Sequence, residues 1–357
     1  MTSTPAQHPA QRPAQHPAHP ATYDLADRPT DLPLTTLVLH DTEETHADTL
    51  RIFTDPASRV SAHYLIRSQD GALTQLVPDR HVARHAGNWY VNQHSLGIEH
   101  EGYADAGHTW YTDAMYRASA ALIGGLAARY GIPLDRFHLL GHDNVPAPTP
   151  AHLAGMHVDP GPLWDWARLL ELLGRPVVPT AEPGSPLREI AHNSVLHKDP
   201  DGSSPIAGAV SAGQRFALVE RAGEWTALWY EGSRAWLYDP GHDPAALPAA
   251  GGLLRPRGDR PIQVFGRPLP APECFPPGVP RPEAVPLPFR LAPHQAYAHG
   301  GFAPAVHLYA PGDRPADRAV VRDPETAARR WLIVQTGHRI GYVRAAEAEL
   351  FEIPAGP

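Results

Sequence analysis

His40 closes an apolar run, TTLVLH (35–40), that reads as a buried strand. His142 closes a second run, RFHLLGH (136–142). Asp159 follows in MHVDPGPLWDW (156–166), just before a helix start. Two imidazoles and one carboxylate, with a fourth position left to water, form the donor set of a catalytic zinc ion rather than a structural one. One Zn²⁺ is expected, and such an ion lowers the pKa of water to about 7. Each residue also has a plain structural reading. Strand-end histidines often bond to backbone, and an Asp ahead of Pro-Gly-Pro is a good helix N-cap. The fold decides, because spacing alone does not bring the three together.

The elements that must position them follow from periodicity. Strands are expected at 35–40, 62–67, 73–77, 96–101 and 136–141. Residues 113–130 place Met115, Ala118, Leu122, Leu126 and Ala127 at helical spacing. Thr112 can cap that helix, and Gly131 with Pro133 can stop it. A second helix is expected over 162–173, with Pro162 in its first turn and Gly174 at its end. A short helix is expected over 46–53. Alternating strands and helices predict an α/β fold, a central sheet flanked by helices. Within 96–101, alternation puts Glu99 and Glu101 on one face.

Six strings stand in order: LVLHDT (37–42), SAHYLIRSQDGALTQLV (61–77), ARHAGNW (83–89), SLGIEHEG (95–102), LLGHDNV (139–145) and HVDPGPLWDW (157–166). Together they resemble the zinc-dependent N-acetylmuramoyl-L-alanine amidases of the peptidoglycan-recognition type, over residues 31–175. The resemblance implies a mixed sheet with the site on one face, and zinc held by His40, His142 and Asp159. It implies Glu99 as general base. It implies that His157, where relatives often carry Lys or Thr, stabilises the oxyanion. His63, His85, Asn88 and Trp89 are expected to bind substrate, with His63 and His85 alternatively orienting other groups. Arg84 is a further candidate for the groove, and Asp41 stands where relatives often have His or Asn. The implied reaction is hydrolysis of the amide between N-acetylmuramic acid and L-alanine, on peptidoglycan or muropeptides. The alternative is a non-catalytic peptidoglycan-binding protein of the same fold; such relatives lose a zinc ligand, and here all three positions are filled. A zinc peptidase of another kind is disfavoured, because HExxH is absent.

The chain has 357 residues and 42 prolines, concentrated in the first 35 residues and in 240–290. Its net charge of −8 argues against a nucleic-acid partner. The single cysteine, Cys274, excludes an intramolecular disulfide. No apolar run is long enough for a membrane span. Residues 1–30, rich in His, Pro and Ala, are expected to be a disordered tail without a standard signal peptide. The implied substrate points to the cell wall or outside, with cytoplasmic recycling or non-standard export as alternatives. Beyond 180, short strands and turns predominate. Segments 224–240 and 329–345 read as hairpins, each with an aromatic pair, Trp225 with Trp236 and Trp331 with Tyr342. Both resemble bacterial SH3-like wall-binding domains, expected at 180–250 and 291–357. Residues 251–290 are read as a proline-rich linker or an extended loop of the second domain. A monomer is expected, in which residues 31–175 work alone on small substrates.

Overall fold

The computed structural model describes residues 13–310, 318–324 and 330–356. In the strand Thr36–Asp41, alternate side chains enter different cores. Leu37 and Leu39 join one cluster with Leu96, Ile98, Leu139, Met115, Ile123 and Trp166. Val38 joins a second, with Leu140, Val145, Leu253, Ile333 and Tyr342. A strand covered on both faces must be apolar on both, which is why TTLVLH runs without alternation.

The sheet order is Ala14–Gln15, Leu73–Gln75, Tyr64–Ile66, Ser95–His100, Thr36–Asp41, Leu139–Gly141. Thr36–Asp41 pairs in parallel with Ser95–His100 and with Leu139–Gly141. Tyr64–Ile66 pairs in parallel with Ser95–His100 and antiparallel with Leu73–Gln75. The sheet is therefore mixed, as expected.

The helix Asp113–Tyr130 keeps its expected bounds. Thr112 accepts from Met115 N, and Gly131 ends the helix at φ 70°, a left-handed conformation that glycine adopts without cost. The short helix is His46–Thr54, capped by Thr45. The last helix starts later than expected, at Trp166, because Asp165 and not an earlier residue caps it by accepting from Arg168 N. An unforeseen helix, Trp89–His94, is capped by Asn88.

The expected disorder of 1–30 does not hold for 13–30; residues 1–12 lie outside the described residues. Ala14–Gln15 adds to the sheet edge beside Leu73–Gln75. Ala18, Thr22, Ala26 and Arg28 are buried. The Arg28 guanidinium donates to the carbonyls of Asp79, His81, Asn92, Gln93 and Ser95. One buried arginine thus fastens a proline-rich segment that has little apolar surface of its own.

The C-terminal half is all β, compatible with SH3-like domains. One seven-stranded antiparallel sheet spans Leu187–Ile190 to Ala246–Pro248, and a second spans Gly251–Pro256 to Ala348–Ile353. Both expected hairpins form, Trp225–Tyr230 with Ser233–Tyr238 and Trp331–Gln335 with Ile340–Arg344. The linker reading of 251–290 does not hold. Gly251–Pro256, Ile262–Phe265 and Pro286–Leu291 are strands of the second sheet. Most of the prolines fall between these strands. Pro286 and Pro288 lie in the strand at the sheet's end, where a missing N–H is tolerated.

Both β units press on the mixed sheet. The second core cluster joins Ala86, Tyr90, Phe137 and Leu140 to Leu187, Ala217, Phe265, Trp331 and Tyr342. At Gly266 the backbones meet so closely that a Cβ would lie 1.7 Å from the Ala147 carbonyl oxygen.

Candidate metal centre

His40 lies near the end of the central strand, His142 begins the short 3-10 turn His142–Asn144, and Asp159 follows a loop. All three are buried. His40 Nδ1 lies 3.1 Å from His142 Nδ1 and 3.3 Å from Asp159 Oδ2. His142 Nδ1 lies 3.1 Å from Asp159 Oδ1. Donors about 2.0–2.1 Å from a tetrahedral zinc ion stand about 3.3 Å apart, and the separations here are of that size, with each imidazole facing a different oxygen of the Asp159 carboxylate. The borderline nitrogen donors and hard oxygen suit that ion. Two imidazoles share one carboxylate, and the neighbouring histidines hold the Asp159 carboxyl far below the usual range against burial. Asp159 does not cap a helix; its carboxylate faces the two histidines and Asp41 N.

The ring positions are fixed from behind. His85 Nδ1 sits 2.9 Å from His40 Nε2, and His85 Nε2 is 3.2 Å from Ser95 Oγ. That chain sets which His40 nitrogen is left for a metal. The facing residue must be small, and it is Gly97, where a Cβ would meet the His85 ring at 2.6 Å. Asp143 N donates to the Asp159 carbonyl, and Tyr111 OH to that of Pro160.

Glu99 pairs in register with His40 across parallel strands. Its Oε2 is buried and has no hydrogen-bond partner among the described residues. Burial first, then the Asp159 and Asp41 carboxylates, raise its pKa well above the ordinary carboxyl value. A carboxyl so placed holds its proton more tightly than a free one, as a general acid–base group must. Glu101 is structural, accepting from His46 N and Ser68 N. Burial likewise pushes Asp41 up to about 7.

His157 is the exposed member, its side chain 67% accessible. Its ring stacks on His142 at 4.5 Å between centroids. Partial burial, then His142, lower its pKa below the ordinary imidazole value. The cleft beside the triad holds about 450 Å³ and is lined also by Arg84, His85, Glu99, Phe53 and Val60.

The expected substrate-binding residues divide. His85 borders the cleft. His63 does not: it is fully buried, with Nδ1 accepting from Gly97 N and Nε2 2.7 Å from the Arg28 guanidinium. Asn88 is fully buried and donates to the carbonyls of Pro146 and Gly266. Trp89 donates to the Leu308 carbonyl. Asn88 and Trp89 therefore grip the second β unit, a role that no local string signals. Arg84 lines the cleft while paired through two nitrogens to Asp24.

Reading the sequence missed Arg339. Its Nη1 donates to the carbonyls of His142 and Val145, and its Nη2 to that of His157. No local string signals this, because the partners lie far apart in the chain.

A family model described as N-acetylmuramoyl-L-alanine amidase, Amidase_2, matches residues 30–162. N-acetylmuramoyl-L-alanine amidase A of Achromobacter lyticus is 37% identical over 149 residues, covering 38% of this chain and 81% of that protein. The 1,6-anhydro-N-acetylmuramyl-L-alanine amidase AmpD of Citrobacter freundii is 40% identical over 121 residues, covering 32% of this chain and 58% of that protein. Among solved structures, the Staphylococcus aureus hydrolase AmiA in complex with its ligand shares 15% identity over 47% of this chain and 84% of its own, at a TM-score of 0.36. The residues matched by the family model include the whole His40–His142–Asp159 triad and none of the two C-terminal sheets.

Proposed function

This chain belongs to the N-acetylmuramoyl-L-alanine amidase family, and from that premise we propose that His40, His142 and Asp159 hold a single zinc ion at which it hydrolyses the amide between N-acetylmuramic acid and L-alanine of peptidoglycan. The observation that carries the zinc reading is the cluster of three buried donor side chains, the two imidazole nitrogens 3.1 Å apart and each within 3.3 Å of one Asp159 oxygen. When bound, zinc supplies Lewis acidity that polarises the amide carbonyl and acidifies water.

The remaining roles belong to the chain. Glu99 takes a proton from the attacking water and passes it to the leaving nitrogen of L-alanine. His157 directs an N–H at the carbonyl oxygen as negative charge develops there. His85 holds the His40 ring in one orientation. Phe53 and Val60 give the cleft an apolar wall. A carboxyl with raised affinity for protons beside a buried donor triad favours catalysis over the non-catalytic binding alternative.

We read residues 13–175 as the catalytic unit, and the sheets over 187–248 and 251–353 as two units that hold the wall, raising local substrate concentration. Among the described residues no helix is long and apolar enough to cross a membrane. The reading puts the enzyme to work at the cell wall or on fragments released from it.

Mass spectrometry of muropeptides incubated with zinc-loaded protein tests the reaction. Products should be the intact glycan lactyl acid and a peptide with a free L-alanine amine. Fragments cut elsewhere, or uncut substrate retained on the protein, would contradict it.

A further inference from the structure

The metal centre is bracketed by a segment outside the region matched by the family model. Thr336–Arg339 forms the turn between the strands Trp331–Gln335 and Ile340–Arg344. The turn is braced from within: Gln335 donates to the Gly337 carbonyl and Thr336 to that of Arg339. It is braced from the first β unit, where Gln214 donates to the His338 carbonyl and His338 N donates to Tyr230 OH. It is braced from the catalytic unit, where Asn144 donates to the His338 carbonyl and His338 Nε2 lies 2.8 Å from Asp143 Oδ2. Three units thus fix one four-residue turn.

Arg339 leaves that turn toward the triad. Its planar fork reaches both ends of the His142–Asn144 turn, at 3.1 Å to the His142 carbonyl and 2.6 Å to that of Val145. The same guanidinium reaches the His157 carbonyl at 2.8 Å, two residues before Asp159. Two of the three donors, His142 and Asp159, come from separate segments that must keep a separation of 3.1 Å. Asp143 N to the Asp159 carbonyl is one tie between them. Arg339 is another, and its donors point in directions that a single ammonium cannot reproduce.

We infer that Arg339, supplied by the second β unit, is a positioning residue of the metal centre that locks the His142 and Asp159 segments at ligating distance. This rests on the zinc reading above. It makes the C-terminal half part of the active site and not only a wall anchor. Partners that orient metal ligands commonly change metal affinity by about 10–100-fold when removed.

The test uses the full-length chain. Zinc affinity is measured by competition with a chromophoric chelator, alongside kcat, KM and the melting temperature of the metal-free form. Arg339→Met keeps the aliphatic stem and removes the donors. It should weaken zinc binding by about 10–100-fold and lower kcat more than it raises KM. Arg339→Lys keeps the charge without the fork and should fall between Met and the parent. Arg344→Met, on the same hairpin but facing solvent, should match the parent in zinc affinity. If Arg339→Met does not fold, Arg339→Lys carries the test, with weakened zinc binding expected. A folded Met or Lys variant with parental zinc affinity would overturn the inference. A parent chain that takes up no zinc would overturn the zinc reading itself, and this inference with it.

Discussion

Arg339 donates to the carbonyl of His142 at 3.1 Å across a sequence separation of 197 residues. The contact is one of a set. The Tyr90 and Tyr342 rings meet edge to face at 5.4 Å, and Asn88 binds the Gly266 carbonyl. The central sheet thus packs its long helix Asp113–Tyr130 on one face and the β units on the other.

Truncation after residue 178 tests that arrangement. The sequence alone suggests a self-sufficient amidase. The structure predicts a damaged one, because Val38, Phe137, Leu140 and Val145 would face water and the Arg339 fork would be gone. Turnover of small soluble muropeptides should fall by an order of magnitude or more, and the fragment should aggregate. Full turnover by a monomeric fragment would show that the β units serve only to hold wall.

Glu99→Gln separates proton transfer from metal binding. The amide keeps the shape but cannot accept the proton, so kcat should fall by roughly 10²–10⁴-fold with zinc content unchanged. His157→Lys should retain activity and extend it to higher pH, since an ammonium keeps its proton longer than an imidazole. Parental kcat in Glu99→Gln would remove that residue from the proposed role.

His85→Ala leaves His40 Nε2 without its partner. Zinc affinity should drop by about 10–100-fold. Calorimetric titration with zinc measures this directly, and parental affinity would argue against the orienting role.

Arg28→Met addresses stability rather than chemistry. The buried guanidinium satisfies five backbone carbonyls and touches His63. Leaving those carbonyls unpaired should cost about 3–5 kcal/mol. Denaturant titration should show it, with faster proteolysis of residues 13–30. An unchanged midpoint would mean the segment is held by other contacts.

The sequence carried the catalytic unit well for a physical reason. Its strands are apolar, its long helix is capped by Thr112 and Gly131, and two of the ligands, His40 and His142, stand at strand ends, so local pattern and tertiary role agree. It failed where a role is set by distant contact. Asn88 and Trp89 sit in a string that suggests a groove, yet their polar atoms are taken by Pro146, Gly266 and Leu308. Prolines in 251–290 hid three strands, because proline argues against a central strand but not against an edge or a strand end. Residues 13–30 lack apolar periodicity, and a single arginine with many carbonyl partners leaves no pattern to read. Arg339 is the extreme case.

The most direct test of the central claim is zinc stoichiometry paired with turnover in His142→Ala. Elemental analysis of the purified parent should give one zinc per chain, and removal by a chelator should abolish muropeptide cleavage until zinc is restored. His142→Ala should lose both the ion and the activity while keeping the parent's circular dichroism. A folded His142→Ala protein that cleaves muropeptides at the parental rate without bound metal would contradict the account.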